Sequence, residues 1–339
     1  MKRKHFISSA LLAFASVKDL AESISERSEG TATAIPPYLL PGDMIGITAA
    51  AGYISTEDCT DAVKTMQGWG FKIKMGATVG KKDFSFAGTD EERLADFLQM
   101  LDDDKIKAIM CARGGYGLVR IIDRINFKKF IQKPKWIIGF SDATVLHSHI
   151  NKNYGIATLH SKMCNSFVDP ALAEPIQNET IDSIRKCLVG GKMKYSAAPN
   201  INNRNGSSKG ILVGGNLKML ETLAGTASDI STRNKILFIE DTGEYLYSID
   251  RMLWNLKRTG KLEGLAGLII GGFKIKPDDA GEEFGKTLEQ IVLEKVAAYH
   301  YPVCFDFPVG HQKNNFALKC GVMHELHITD TSAELKDIS

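Results

Sequence analysis

Lys105-Ile106-Lys107-Ala108-Ile109-Met110-Cys111-Ala112-Arg113-Gly114-Gly115-Tyr116-Gly117-Leu118-Val119-Arg120-Ile121-Ile122-Asp123 opens with an apolar run suited to a buried strand, crosses a glycine turn and resumes apolar residues at helical spacing. That pattern predicts strand, tight turn and helix. Such a turn sets backbone N–H groups and the positive end of a helix at the carboxyl edge of a sheet, where α/β folds bind ligands. On these residues alone, a glycine connection that is merely tight is the competing explanation.

The flanking sequence repeats the theme. Met44 to Ala49 reads as a short buried strand ending in small residues, Thr56 to Trp69 as a helix stopped by Gly70, Phe71 to Met75 as a strand, and Asp90 to Leu101 as a helix with an acidic first turn. Lys135 to Phe140 is a further strand, and Ser141 opens the helix that follows. Strands alternating with helices to about residue 165 predict a parallel sheet covered on both faces. Residues 166–208 are polar and poorly periodic in their second half, which suggests an interdomain crossing. Beyond it, Gly210 to Leu217 runs as a strand into a glycine turn and a helix at Lys218 to Leu223. Lys235 to Asp241 is a buried strand with two carboxylates at its tip, Tyr247 to Lys257 is an amphipathic helix, and Met323 to Thr329 is a closing β segment. The organisation expected is a segment at 1–38, an N-terminal domain at 39–165, the crossing, and a C-terminal domain at 209–335.

A chain of 339 residues, 44% hydrophobic and 24% charged, has the composition of a soluble globular enzyme. With 42 basic against 40 acidic residues it carries no global field that would call for nucleic acid or an anionic surface. Six cysteines without C-x-x-C pairing or metal-ligand spacing read as buried thiols, and no metal or cofactor is expected. At the N-terminus, the basic Lys2-Arg3-Lys4-His5, the apolar run from Phe6 to Ala15 and the small-x-small Ala13-Phe14-Ala15 resemble an export signal. The run is too short to span a membrane stably. Export, to the periplasm or beyond, is therefore expected, with a frayed helix on a cytoplasmic protein as the alternative.

His311, beside Gly310 on a loop between β segments, is a candidate general acid or base, and Glu240 or Asp241 could orient it. His147 and His160 compete for that role. Gly139-Phe140-Ser141-Asp142-Ala143 approximates the G-x-S-x-G nucleophile turn of α/β-hydrolases, and Ser141, Glu240 and His311 occur in that fold's chain order. Ser141 as a simple helix cap is the favoured explanation.

Several separated stretches together resemble the LD-carboxypeptidase family, whose members include muramoyl-tetrapeptide carboxypeptidases and microcin immunity peptidases. They are Pro41-Gly42-Asp43, Phe86 to Arg93, Ala112 to Gly117, Gly139 to Thr144, Gly214 to Leu217, Glu240-Asp241 with Asp250 to Leu253, and Gly310-His311. The resemblance implies a Rossmann-like, flavodoxin-like α/β N-terminal domain, a smaller β-rich C-terminal domain, a cleft between them and a homodimer. It also implies a metal-free Ser-His-Glu triad acting on murein peptides to release a terminal D-amino acid. Glu240 and His311 fall on the acid and the base. By their chemistry Gly114 and Gly115 offer backbone donors for an oxyanion or a substrate carboxylate, Arg113 can pair with a terminal carboxylate, and Tyr116 is a further candidate substrate contact. The resemblance further implies a hydroxyl just after the glycine turn, where this chain has Leu118, so impaired or absent turnover is expected. Three outcomes stay open: a carboxypeptidase, a muropeptide-binding homologue that does not cleave, and a hydrolase using Ser141.

Overall fold

The structure, a computed structural model, describes residues 33–339; the signal-like run lies outside the described residues. Ile35–Ser339 forms one compact unit. Its first half follows the expected alternation: β1 (Met44–Thr48), α1 (Thr60–Gly68), β2 (Lys72–Met75), α2 (Asp90–Asp102), β3 (Ile106–Cys111), α3 (Lys128–Gln132), β4 (Trp136–Gly139), α4 (Thr144–Tyr154) and β5 (Thr158–His160). Local sequence sets the ends. Thr89 accepts the Glu92 N–H at 3.2 Å while the Glu92 carboxylate accepts the Thr89 N–H at 3.0 Å, a capping box that starts α2. Gly155, at φ +58°, ends α4.

The segment expected to be a crossing carries two ordered elements, α5 (Pro175–Leu188) and β6 (Lys194–Ala197). Pro175 at the first helical turn, with a capping box between Glu174 and Gln177, starts α5, whose Ile181, Ile184, Cys187 and Leu188 enter the first core. The second half comprises β7 (Gly206–Asn216), α6 (Leu217–Thr222), β8 (Lys235–Glu244), α7 (Leu246–Arg258), β9 (Gly267–Ile275), α8 (Leu288–Lys295), β10 (Val303–Cys304), β11 (Leu318–Cys320), β12 (Met323–Ile328) and β13 (Ala333–Asp337).

The first sheet has the order β11-β5-β4-β3-β1-β2, with β1 to β5 all parallel and β11 antiparallel at the edge. Without β11 this is the flavodoxin-like order, with its switch point between β1 and β3. Alternate residues of each strand face opposite cores: Ile45, Ile47, Ala108, Met110 and Ile138 enter one, Ile109, Cys111 and Ile137 the other. The second sheet has seven strands in the order β10-β9-β8-β7-β12-β13-β6. Its β7 to β10 are parallel, and β12, β13 and β6 extend it antiparallel. The chain is thus a mixed α/β protein of two sheets. The loan of β11 to the first sheet, and the shared packing of Leu318 and Cys320 with β7 to β9 residues, tie the halves together.

One expectation for the opening stretch fails. After the glycine turn the chain makes two short 3₁₀ turns, Leu118–Arg120 and Ile122–Arg124, in place of an α-helix. A 3₁₀ turn lacks the length to build a macrodipole, so no helix end stands behind Gly114 and Gly115. The helix that does start at a strand's carboxyl end in this region is α4, after β4.

Candidate active site

The carboxyl edges of β3, β4, β8 and β9 converge on a cavity of about 590 Å³ whose wall includes Gly114, Gly115, Ser141, Lys162 and His311. Sheet geometry explains why chemistry gathers here. In an open parallel sheet the loops that follow the strands leave at the carboxyl ends, and a ligand binds outside that edge.

His311 and Glu240 meet, as expected. Glu240 lies in the middle of β8, fully buried, and its Oε2 accepts a hydrogen bond from His311 Nδ1. A carboxylate acceptor places the proton on Nδ1 and leaves Nε2 as the basic nitrogen. The His311 loop is held from several sides. Gly272 N–H of β9 donates to Val309 O at 2.7 Å, Gly310 N–H donates to Asn315 Oδ1 at 2.8 Å, and Gln312 Nε2 donates to Phe307 O at 2.7 Å. Gly310 is obligatory: φ is +96°, and a Cβ there would stand 2.4 Å from Glu240 Cβ.

Asp241 takes no part in orienting His311. Its Oδ1 accepts from Asn216 Nδ2 at 2.8 Å and its Oδ2 from Lys218 N–H at 3.0 Å, while Asn216 caps α6. Burial pushes the Asp241 carboxyl up to about 6.

Leu118 requires a correction. It is 1% exposed, packed in the core with Phe97, Ile121 and Phe130, and its N–H donates to Asp142 Oδ2 at 2.9 Å. It is a core residue that anchors the glycine turn, and it is absent from the cavity wall. The expectation that its side chain occupies the nucleophile's place, and with it the premise for a chain that binds without cleaving, loses its support.

Ser141 is corrected in the opposite sense. Neither 3₁₀ turn Ser141–Ala143 nor α4 has a side-chain cap, so its hydroxyl is not the helix cap that sequence favoured. Its backbone stands at φ +61°, a conformation that costs a non-glycine residue on the order of 1–2 kcal/mol and that clusters at functional sites. The sharp strand-to-helix reversal is possible because its flanks are small. A Cβ on Gly139 would come within 2.9 Å of Ala143 Cβ and 3.1 Å of Cys111 Cβ. A Cβ on Gly114 would lie 3.0 Å from Ser141 Cβ and 3.2 Å from its Oγ, so glycine lets the turn's backbone approach this hydroxyl closely without crowding it. These features match a nucleophile elbow.

The other expected residues divide. Gly114 and Gly115 line the cavity; Arg113 lines it too, exposed, with Nη1 donating to Tyr53 O at 2.8 Å. Tyr116 does not line it, and its ring packs on Phe86 with centroids 5.7 Å apart. His147 is buried, its Nε2 bonded to Gly139 O at 2.9 Å, and burial brings it down to about 4. His160 is enclosed by Phe140 and Phe238, with burial holding it well below its ordinary value. Both are neutral packing residues behind the wall. All six cysteines are buried free thiols, and among the described residues no three His, Cys, Asp or Glu side chains gather to hold a metal.

Two residues of the family-like stretches to which the sequence assigned no role, Thr144 and Asn216, join the halves behind the site. Thr144, first in α4, accepts the Asn216 N–H at 3.0 Å with its Oγ1. A Cβ on Gly215 would stand 2.4 Å from that oxygen, which explains the Gly214-Gly215-Asn216 run at the end of β7. The pattern in sequence was the glycine pair, but its partner is remote in the chain.

Residues 45–161 match the LD-carboxypeptidase N-terminal domain and residues 209–326 the LD-carboxypeptidase C-terminal domain. The chain is 32% identical over 303 residues to a Bacillus subtilis protein named "Probable murein peptide carboxypeptidase", covering 89% of this chain and 94% of that relative. It is 28% identical over 282 residues to the murein tetrapeptide carboxypeptidase of Pseudomonas aeruginosa, covering 82% and 91%. Among solved structures, muramoyltetrapeptide carboxypeptidase from Oxalobacter formigenes aligns with a TM-score of 0.76 at 26% identity, over 87% of this chain and 98% of the other.

Proposed function

We propose, for a chain that belongs to the LD-carboxypeptidase family, that Ser141 is the nucleophile of a serine carboxypeptidase that releases the terminal D-amino acid of a murein peptide. The observation that carries this is Ser141 at positive φ on the cavity wall that it shares with the Glu240-oriented His311. In this mechanism His311 Nε2 takes the Ser141 hydroxyl proton as Oγ attacks the scissile carbonyl, and the Glu240 carboxylate stabilises the imidazolium. Backbone N–H groups of Gly115 and Asp142 supply the oxyanion donors, Asp142 being the residue after the nucleophile. Collapse of the tetrahedral intermediate sends the His311 proton to the departing amine. Water, activated by the same nitrogen, then hydrolyses the acyl-serine and regenerates the hydroxyl.

The substrate class follows the relatives named for murein peptides, and shortening such peptides by one residue is a step that suits murein recycling. Release of D-alanine from a muropeptide tests the proposal. Ser141→Ala lowers turnover by about 10⁶, leaving roughly 10³-fold over water from binding and oxyanion donors. Full activity in Ser141→Ala would remove this residue from the chemistry. Export and homodimerisation belong to the same proposal, supported by the N-terminal sequence pattern and the family resemblance respectively. An intact Met1 on the mature protein would overturn the first, and a single-chain mass by light scattering the second.

A further inference from the structure

We propose that Lys162 is the receptor for the substrate's terminal α-carboxylate, the group that makes this site an exopeptidase; this rests on the peptidase function proposed above. The cavity wall holds four cations: Arg113, Lys162, Lys274 and Lys313. Lys313 is exposed and paired with Glu174 at 2.5 Å. Arg113 is exposed and bonded to Tyr53 O, and Lys274 is exposed. Lys162 differs from all three. It is 5% exposed, its hydrogen bond is to a neutral main-chain oxygen, Lys313 O at 2.6 Å, and among the described residues no carboxylate stands beside it to offset its charge.

A buried ammonium without a counter-charge is costly, and a bonded carbonyl uses one of its three protons. Two remain for a ligand. Burial brings Lys162 down to about 8, which leaves it a cation at neutral pH. Its place suits the role. The neighbouring Met163 methyl comes within 3.3 Å of where a Gly114 Cβ would stand, beside Ser141, and the carbonyl it grips belongs to the loop two residues past His311. The ammonium therefore belongs to the same chamber as the hydroxyl and the imidazole. An enzyme that removes a last residue must separate a free carboxylate from a continuing amide. A desolvated cation does this from both sides, by pairing with the first and losing its pairing with the second.

The test compares kcat/KM for a muropeptide ending in free D-alanine with that for the same peptide ending in D-alaninamide, in the full chain and in Lys162→Met. The unaltered chain prefers the free acid. Lys162→Met loses about 100-fold on the acid and little on the amide, so the preference collapses. If Lys162 only braces the His311 loop, acid and amide fall together and the proposal fails. Collapse of the preference in Arg113→Ala, with Lys162→Met retaining it, also overturns it. Should Lys162→Met not fold, product inhibition of the unaltered chain decides: D-alanine inhibits and D-alaninamide does not, whereas equal inhibition refutes a carboxylate receptor. Hydrolysis of neither peptide by the unaltered chain would instead sink the peptidase function itself, a result distinct from any of these.

Discussion

Leu118→Ser, which would restore a nucleophile if the glycine turn supplied one, places a hydroxyl in the apolar core that holds Phe97, Ile121 and Phe130. The expected result is a loss of roughly 3–5 kcal/mol of stability, read by denaturant unfolding, with no gain in D-alanine release. A rise in activity would return the nucleophile to the turn. The pairing of His311 with an acidic partner was legible because an imidazole beside glycine on a loop, and carboxylates following an apolar run, are both unusual placements. Ser141 was visible only as one of two possibilities. Its hydroxyl suits a cap and a nucleophile equally well, and nothing in a serine announces positive φ. The usable signal lay in its neighbours, since Gly139 and Ala143 are the small residues that a strained reversal requires. Choosing between Glu240 and Asp241 needed coordinates, because they are neighbours within β8 and only Glu240 bonds the imidazole.

The elements that deliver these side chains meet at glycines, and substitutions there act on geometry more than on chemistry. Gly310→Ala places a methyl against Glu240 Cβ at a backbone angle that disfavours any side chain. The hydrogen bond between His311 and Glu240 is then displaced. A shift near 1 Å in such a pair costs about 100-fold, so kcat drops at least that far while the fold survives, as circular dichroism would show. Unchanged kcat would mean that the loop can move without disturbing the base. Strand and helix order in the first half was legible because parallel strands buried on both faces read as continuous apolar runs, and because punctuating residues such as Gly70 are strong. What stayed hidden depended on partners distant in the chain. The short strand β11 completes the first sheet from the far end of the sequence, and α5 rises from a stretch that looked like a linker because half of its surface is polar. The stretch after the glycine turn carries helical spacing but breaks into 3₁₀ turns, as Asp142 holds the Leu118 N–H and Arg93 Nη1 donates to Gly117 O at 3.1 Å.

Over the whole molecule, buried ionisable groups of opposite sign set how stability follows pH. Asp142 and Asp241 are each raised to about 6 by burial, whereas His147 and His324 are each lowered to about 4, also by burial. For the aspartates the folded chain binds the extra proton, so their contribution is fully present below about 4 and is lost as pH rises through about 6. For the histidines the unfolded chain binds the extra proton, so their contribution is full above the unfolded value near 6.5 and is lost as pH falls toward 4. The two sets oppose each other between about pH 4 and 6, but burial also lowers His149 and His160, so the aspartates offset only part of the histidines' loss and the thermal midpoint should fall on acidification. Asp142→Asn separates them. The amide oxygen keeps an acceptor for the Leu118 N–H, no charge has to be buried, and Arg93 retains its pairing with Asp90. At pH 8 the variant should be more stable than the unaltered chain by about 1–2 kcal/mol, and the advantage should vanish near pH 4, where Asp142 is already neutral. Its melting temperature should also fall more steeply on acidification, since the histidines are then less opposed. Parallel melting curves for the two chains from pH 8 to pH 4 would show that Asp142 carries no buried charge, and the link it makes between the glycine turn and the Ser141 elbow would then be an ordinary neutral hydrogen bond.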